Sequence, residues 1–551
     1  MNIERTTSLF VALMMLVSAL PLLVLDASGT RWEQTSADDF DDGESFFVET
    51  SGGTLKLSRG LTGTWSAVGE AASDLFGYSV ASAGDVNGDG YADVIVGSYG
   101  NDDAASMAGE AYVYHGSSSG LSATPDWSDQ GEGAYDVFGL SVASAGDVNG
   151  DGYADVIVGA YGYTSLNATG KAYVYHGSAS GLSTTPDWSD LGEAEDDYFG
   201  YSVASAGDVN GDGYADVVVG AHGNDGAAGY AGEAYVYHGS ASGLSETPDW
   251  SDHGEASSDQ FGRSVASAGD VNSDGYADVI VGAHQNDGAG SVAGEAYVYY
   301  GSASGLSATP DWSDQGEALN DYFGENVASA GDVNGDGYSD VIVGAPYNDG
   351  GAYNTGEAYV YHGSSSGLSA KPDWSDQGEA LNDYFGASVA TAGDVNGDGY
   401  ADVIVGAYGN DDGGSSAGEA YVYSFGVGIS LATWEAWSDQ GEATNDYFGR
   451  SVASAGDVNG DGYADVVVGA YGNDDGGSAA GEAYVYYGSS SGLSATPDWS
   501  DQGEAANDYF GASVATAGDV NGDGYADVIV GAYYNDDTAT NAGEEIGRAH
   551  V

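Results

Sequence analysis

The chain repeats one pattern of apolar and polar positions along most of its 551 residues. One unit, starting before Trp127, reads DWSDQGEGAYDVFGLSVASAGDVNGDGYADVIVGAYGYTSLNATGKAYVYHGSASGLSTTP. Within it, FGLSVAS, DVIVGA, AYVYHG and DWSDQG are short runs rich in apolar, aromatic and β-branched residues, and turn-forming residues separate them. DVIVGA is apolar at consecutive positions, which is typical of a strand buried on both faces. The pattern predicts four strands per unit, and no segment shows sustained helical periodicity.

The spacing of the units predicts the architecture. The first aspartates of the eight GDVN motifs are 61 to 63 residues apart: Asp85, Asp147, Asp208, Asp270, Asp332, Asp394, Asp457 and Asp519. Four short strands at a fixed period are typical of propeller blades rather than of a helical solenoid. We therefore expect an all-β fold, a β-propeller with seven or eight four-stranded blades. Trp65 aligns with the fourth strand of a unit and would complete the last blade, which favours eight blades; with seven, the extra unit would start a second module.

Domain boundaries follow from the repeat and from the two ends of the chain. Residues 1–27 carry Arg5, an apolar run and a small-residue exit, which predict a secretory signal peptide; a membrane anchor is the alternative. Residues 28–64 form a short β-rich segment, and residues 65–544 contain the eight repeats, the last one truncated. Residues 545–551, EIGRAHV, fit no other copy and can be encoded by the start of a common sequencing adapter. We interpret them as a non-native tail.

The net charge excludes several classes of partner. The chain has 86 acidic residues against 9 Lys and Arg, which gives a net charge of −77. Such a surface repels phosphate backbones and anionic lipids, so we expect neither nucleic-acid binding nor direct lipid binding apart from an N-terminal anchor. Cations are the natural partners. The chain has no cysteine, so disulfides do not stabilise it.

The acidic loop DVNGDGYAD has the residue pattern of a calcium site. Positions one, three and five carry Asp147, Asn149 and Asp151, the carbonyl of Tyr153 serves at seven, and Asp155 stands at nine. Hard oxygen ligands at alternate positions, with Gly at position six for the turn, suit Ca²⁺ better than Mg²⁺, and Zn²⁺ would require His or Cys. We predict about one structural Ca²⁺ per repeat and no catalytic metal.

The predicted ligands are Asp85, Asn87, Asp89, Tyr91, Asp93, Asp147, Asn149, Asp151, Tyr153, Asp155, Asp208, Asn210, Asp212, Tyr214, Asp216, Asp270, Asn272, Asp274, Tyr276, Asp278, Asp332, Asn334, Asp336, Tyr338, Asp340, Asp394, Asn396, Asp398, Tyr400, Asp402, Asp457, Asn459, Asp461, Tyr463, Asp465, Asp519, Asn521, Asp523, Tyr525 and Asp527. The fourth repeat has Ser273 in place of the first glycine of the loop, and its ligands are unchanged.

The order of FG, calcium loop and VGA resembles the FG-GAP repeat of integrin α-subunit β-propellers. The resemblance covers Trp65 to Asp537, with FG at Phe138-Gly139, for example, and a literal GAP only at Gly344 to Pro346. It implies calcium loops between strands one and two on one face and partner-binding loops on the opposite face. It also implies seven blades with loops in only some of them, whereas this chain has eight motifs.

The loops between strands two and three differ most among the repeats, for example SYGNDDAASMAGE and PYNDGGAYNTGE. Variation confined to one loop favours a recognition face, and neutral drift is the alternative. We therefore expect a secreted or cell-surface, calcium-stabilised, non-catalytic module for adhesion or ligand binding, its ligand an unknown extracellular protein or glycan. The alternative is the propeller part of a truncated secreted hydrolase or lyase. GSSSG at Gly116 matches a nucleophile elbow only superficially, and the repeated His115 position predicts a packing role at a strand end or a surface role.

Overall fold

The computed structural model describes residues 46–51, 54–59, 65–71, 73–162, 168–226, 228–350, 352–425, 435–535 and 544–548. Every regular element within these residues is a β-strand, and none of them forms a helix that could cross a membrane. Strands β1 (Phe46–Ser51) and β2 (Thr54–Arg59) form a two-stranded sheet of their own. The predicted signal peptide, residues 1–27, lies outside the described residues.

The repeats form eight antiparallel four-stranded sheets, the blades. Their first strands are β4 (Phe76–Gly84), β8 (Ser141–Gly146), β12 (Ser202–Gly207), β16 (Ser264–Gly269), β20 (Asn326–Gly331), β24 (Ser388–Gly393), β28 (Ser451–Gly456) and β32 (Ser513–Gly518). Their second strands are β5 (Asp93–Ser98), β9 (Asp155–Ala160), β13 (Asp216–Ala221), β17 (Asp278–Ala283), β21 (Asp340–Ala345), β25 (Asp402–Ala407), β29 (Asp465–Ala470) and β33 (Asp527–Ala532).

The third and fourth strands complete the blades. The third strands are β6 (Glu110–Tyr114), β10 (Lys171–Tyr175), β14 (Glu233–Tyr237), β18 (Glu295–Tyr299), β22 (Glu357–Tyr361), β26 (Glu419–Tyr423), β30 (Glu482–Tyr486) and β34 (Glu544–Arg548). The fourth strands are β7 (Trp127–Gln130), β11 (Trp188–Leu191), β15 (Trp250–His253), β19 (Trp312–Gln315), β23 (Trp374–Gln377), β27 (Glu435–Gln440), β31 (Trp499–Gln502) and, from the start of the repeats, β3 (Trp65–Val68).

The propeller is closed by its two ends. Strand β3 pairs with β34, so the last blade has the order β3-β34-β33-β32. The first strands contact one another in sequence around the ring, and β32 contacts β4. The prediction that Trp65 completes the last blade is confirmed, and the described residues form eight blades. Strand β34 has the register of the other third strands, with Ala532 opposite Glu544 as Ala470 is opposite Glu482. That residues 545–551 are non-native stays a prediction.

The hydrophobic core lies between successive blades. The second strands are buried at all six positions, as the unbroken apolar run predicts. Between the second and third blades, Ile157 packs in one cluster with Val217, Phe199 and Trp188. Burying each such side chain contributes about 1.5 to 3 kcal/mol, and each blade depends on its neighbours for that burial.

The FG dipeptide links each blade to the preceding one. The backbone N–H of Phe138 donates to the Ala108 carbonyl at 2.9 Å, and the Phe138 side chain is fully buried. Gly139 has a φ of +85°, and a Cβ on it would lie 2.5 Å from the Glu110 carbonyl oxygen of the preceding blade. Only glycine fits this close approach of two backbones.

Antiparallel pairing separates the connections into two faces. The connections from first to second strand and from third to fourth strand leave at one end of each blade. We call this end the acidic-loop face, because it carries the eight acidic loops, such as residues 147–154. The other end, the variable-loop face, carries the loops between second and third strands and the connections to the next blade, such as residues 131–140.

Candidate functional site

Each acidic loop is wrapped around the carboxylate at its first position. Asp147 accepts hydrogen bonds from the backbone N–H groups of Gly150 at 2.6 Å, Asp151 at 3.1 Å and Gly152 at 2.8 Å. The Asn149 side-chain oxygen accepts from the Asp151 N–H at 2.9 Å. The side-chain oxygens of positions one and three therefore face the inside of the loop. The same bonds recur in other blades, for example around Asp332.

The aspartate at position nine has a different environment. Asp155 is fully buried, and its two oxygens accept backbone N–H groups from Val148 at 2.8 Å and from Gly177 at 2.7 Å. It therefore connects the loop to the turn after the third strand. The pKa of Asp155 is raised to about 7. Burial is the main cause and the nearby Asp147 and Asp151 carboxylates contribute, while the two backbone hydrogen bonds act in the opposite direction.

The donor types of the loop fit calcium. Each loop offers carboxylate, amide and carbonyl oxygens and no nitrogen or sulfur ligand, which is the donor set of a hard cation. Asp147 and Asp151 lie close enough to Asp155 to raise its pKa, so each loop has three carboxyl groups near one another. In their present positions, however, no three His, Cys, Asp or Glu side chains of the described ranges converge closely enough to hold a metal ion. In each repeat the five predicted ligands belong to one loop or the start of the strand after it, and calcium binding itself stays a prediction.

The acidic loops also join neighbouring blades, which the sequence analysis did not predict. The N–H of Ala215 donates to the Asp147 carbonyl of the preceding loop at 3.0 Å, and the N–H of Ser240 donates to the Val148 carbonyl at 3.0 Å. Gly150 lies against the Tyr214 ring of the next loop, where a Cβ would be 2.4 Å from a ring carbon. The last loop contacts the first in the same way, because Ala92 donates to the Asp519 carbonyl at 2.9 Å.

The variable-loop face differs from the acidic-loop face in its exposed side chains. Within the described residues, every exposed large hydrophobic side chain lies in a loop of this face or near the end of a strand beside it. These residues are Tyr78, Tyr135, Leu191, Tyr230, Leu319, Tyr353 and Leu381. A concentration of exposed apolar side chains on one side of a molecule is typical of an interaction surface.

The variable loops have a common base beneath their different sequences. Asn224 is buried, and its side-chain amide donates to the Tyr235 hydroxyl at 3.0 Å; Asn286 makes the same bond to Tyr297 at 3.1 Å. The variable residues thus begin from a fixed point on each blade. Asn167-Ala168-Thr169 in one of these loops matches the pattern of an N-glycosylation acceptor, and Asn167 lies outside the described residues.

A third set of residues, at the position after each FG dipeptide, was missed by the sequence analysis. These residues are Tyr78, Leu140, Tyr201, Arg263, Glu325, Ala387, Arg450 and Ala512. They stand at the beginning of the innermost strands, and all but the last line a cavity of about 380 Å³ that opens on the variable-loop face. We call this cavity the channel mouth. An alignment of the repeats could have identified these residues, because this position differs strongly between units that are otherwise similar.

The residues that resembled catalytic motifs have structural roles. In GSSSG the Ser117 hydroxyl donates to the Gly120 carbonyl at 2.8 Å within a turn between two strands, with no helix following it. His115 lies 3.8 Å from Asp126, and the equivalent ring of His176 fills the space beside Gly243 of the next blade. The histidines therefore have the predicted packing role.

Comparison with known proteins agrees with these features. The model of the FG-GAP repeat matches residues 76–114, 138–175, 199–237, 261–299, 323–361, 385–423, 448–486 and 510–544. Integrin alpha-5 of Xenopus laevis is 35% identical over 227 residues, which are 39% of this chain and 20% of that protein. Integrin alpha-6 of Homo sapiens is 38% identical over 154 residues, 28% of this chain and 13% of that protein. The matched part is thus a fifth or less of these relatives.

Two further similarities concern another integrin subunit and a solved structure. Integrin alpha pat-2 of Caenorhabditis briggsae is 34% identical over 234 residues, 39% of this chain and 18% of that protein. The solved structure of Chaetomium thermophilum Sqt1 covers 89% of this chain and 98% of its own at 12% identity and a TM-score of 0.46, a likeness too distant to bear on function. Each matched segment begins with FG, and all but the last span the first, second and third strands of one blade. On this basis the chain belongs to the FG-GAP repeat family.

Proposed function

We propose that this protein is an extracellular, non-catalytic adhesion or ligand-binding module. In this proposal, Ca²⁺ in the acidic loops stabilises the propeller, and the variable-loop face binds a protein or glycan ligand. The integrin α-subunits to which the chain is similar support a role in adhesion, and the signal-like residues 1–27 support secretion or surface display.

The observation that supports this proposal best is the location of the exposed apolar side chains: within the described residues, they lie on the side of the variable-loop face. Tyr353 is 64% exposed and Tyr230 is 41% exposed, and both are in loops between second and third strands. Tyrosine is enriched at the energetic centres of protein interfaces, because its ring supplies apolar area and its hydroxyl can still form hydrogen bonds. The opposite face presents acidic loops, which suit cations rather than an apolar partner.

A binding screen tests the proposal. The secreted chain, in buffer with Ca²⁺, is screened against extracellular-matrix proteins and an array of glycans. We expect a ligand whose affinity falls at least tenfold in the double variant Tyr230→Ala, Tyr353→Ala, since both substitutions remove exposed contact area without disturbing the core. Glu246→Ala, an exposed substitution in the turn between third and fourth strands, is the matched control. Equal affinity in the tyrosine double variant, or an equal loss in the control, contradicts recognition by this face.

A further inference from the structure

The channel mouth concentrates positive charge in a strongly acidic protein. The whole chain has 9 Lys and Arg, and Arg263 and Arg450 both line this one cavity. They are 187 residues apart in the chain, and both line the cavity because the first strands of the blades surround one axis. In a chain with a net charge of −77, two guanidinium groups at one opening form a local site of opposite sign.

The two arginines are held by different contacts. The Arg263 guanidinium lies 3.7 Å from the Glu325 carboxylate and 4.4 Å from the centre of the Tyr201 ring, so its orientation is defined on two sides. Arg450 is exposed and lies 5.2 Å from the centre of the Tyr408 ring. Among the residues that the structure describes, no carboxylate lies within ion-pair distance of Arg450. Within the described residues, the Arg450 guanidinium is therefore not neutralised by an ion pair and is exposed to an incoming ligand.

Glu325 shows that the cavity accommodates a carboxylate. One of its oxygens faces Arg263, and the other lies 3.4 Å from Nε2 of the buried His284. Burial lowers the pKa of His284 to about 3, with the Arg263 charge adding to the effect, so the imidazole is neutral at physiological pH. Burial also raises the pKa of Glu325, while Arg263 and Arg450 oppose this shift. One carboxyl group can neutralise at most one of the two arginines, so the site keeps an excess positive charge.

We infer that the channel mouth binds a small organic carboxylate, with Arg450 and Arg263 as the groups that recognise the anion. The guanidinium fork binds a planar carboxylate through two parallel hydrogen bonds, and the lining tyrosines add ring surface and hydroxyl groups. A volume of about 380 Å³ lies at the small end of ligand pockets, which suits one sugar acid or one amino acid. A polyanion is excluded, because the surrounding acidic surface would repel its remaining charges. The inference rests on the proposed function, since it assigns a ligand chemistry to the centre of the same face.

Calorimetric titration of the full chain in buffer with Ca²⁺ and low salt tests this inference. The probes are glucuronate and N-acetylalanine, each paired with a counterpart that has no carboxylate, glucose and N-acetylalaninamide. We expect at least one of the two acids to bind at least tenfold more tightly than its neutral counterpart, and which acid binds distinguishes a sugar acid from an amino acid. Arg450→Gln should weaken binding of that acid at least tenfold, whereas Lys371→Gln, which removes an exposed positive charge in a turn on the acidic-loop face, should leave it unchanged.

A second variant keeps the test independent of Arg450. Glu325→Gln removes the internal competitor for Arg263 and should tighten binding severalfold, with the melting temperature measured to show that the variant folds. Equal binding of acid and neutral probes, equal losses in Arg450→Gln and Lys371→Gln, or weaker binding by a folded Glu325→Gln variant overturns the inference. If the macromolecular ligand is still captured while neither acid binds, only this inference fails and the proposed function remains.

Discussion

At the scale of single residues, the fourth repeat contains a natural exception to the rest. Ser273 stands where the other acidic loops have glycine, and its φ is +55°, in the left-handed region that side chains with a Cβ rarely adopt. The equivalent Gly150 has a φ of +73° and lies against Tyr214 of the next loop. The fold thus imposes the glycine conformation on a serine, which costs about 1 to 2 kcal/mol.

We expect Ser273→Gly to stabilise the protein by about 0.5 to 1 kcal/mol, because the relief of strain exceeds the extra chain entropy of glycine in the unfolded state. The reverse change, Gly150→Ser, should destabilise it by a similar or larger amount, since its side chain also meets Tyr214. Urea unfolding in the presence of Ca²⁺ measures both. No gain in Ser273→Gly would mean that the loop accommodates serine without strain.

At the scale of the element, each acidic loop holds several carboxylates that repel one another, and backbone hydrogen bonds fix two of them in place. Position one is surrounded by backbone N–H groups, and position nine is buried in contact with two more, as at Asp147 and Asp155. The remaining repulsion among three carboxylates is what a divalent cation would remove. Because each loop also contacts the loop of the next blade, its state affects two blades.

Removal of calcium should lower the melting temperature markedly. If each loop binds with a Kd on the order of 0.1 to 1 mM, 10 mM Ca²⁺ stabilises the folded chain by about 1.4 to 2.7 kcal/mol per loop. Calorimetry before and after chelation measures the total. Asp274→Ala, which removes one ligand from one loop, should reduce the gain by about the share of one loop, whereas Glu246→Ala outside the loops should not. An unchanged melt after chelation contradicts structural calcium.

The buried aspartates predict a pH dependence of the calcium-free protein. Burial raises the pKa of Asp93, Asp155, Asp216, Asp278, Asp340 and Asp402 to about 7 and that of Asp465 to about 8, from an ordinary value of 3.8. A raised pKa means that folding favours the protonated carboxyl. The stabilisation from these groups is therefore complete below about pH 4 and is lost as the pH rises through about 7 to 8.

The corresponding measurement is the melting temperature of calcium-stripped protein between pH 8 and pH 5.5. We expect it to rise as the pH falls, also in 0.5 M salt, where repulsion between exposed charges is screened to about 4 Å. Saturating Ca²⁺ should reduce this rise, because the cation favours the ionised carboxylates. A melting temperature that falls with acidification in stripped protein would show that these groups titrate near their ordinary values.

At the scale of the whole molecule, stability depends on ring closure. Strand β3 is supplied by the beginning of the repeats and lies at the outer edge of the last blade, where it pairs with β34. The Trp65 indole donates to the Ser122 carbonyl of the first blade at 2.7 Å, as Trp127 does to Ser183 at 2.8 Å. One short strand therefore connects the last blade to the first.

Deletion of residues 1–69 should open the ring, because it removes β3 and leaves the edge of β34 unpaired. We expect a lower melting temperature and aggregation through the free edge, measured by calorimetry and light scattering. Deletion of residues 1–57 is the matched control, since it removes the separate first unit and retains β3. Identical melts for the two deletions would show that β3 does not contribute to closure.

The periodic pattern of the sequence was sufficient to predict the strands and their order. Four apolar segments per unit and turn residues between them correspond to the four strands of each blade, because strand formation and turn formation depend mainly on neighbouring residues. The same local reasoning found the acidic loops, since the oxygen-bearing residues of DVNGDGYAD lie within nine positions. By itself, then, the sequence determined the unit, its repetition and the place of the candidate cation loops.

Only the tertiary structure decided how the units combine. The choice between seven and eight blades depended on β3 pairing with β34, two segments almost 500 residues apart, whose pairing no local pattern specifies. Closure also brought the loops into contact across blades, as at Gly150 and Tyr214, and placed Arg263, Glu325 and Arg450 at one opening. These residues are separated by whole repeats in the chain, and they meet because the packed blades arrange the first strand of every repeat around a common axis.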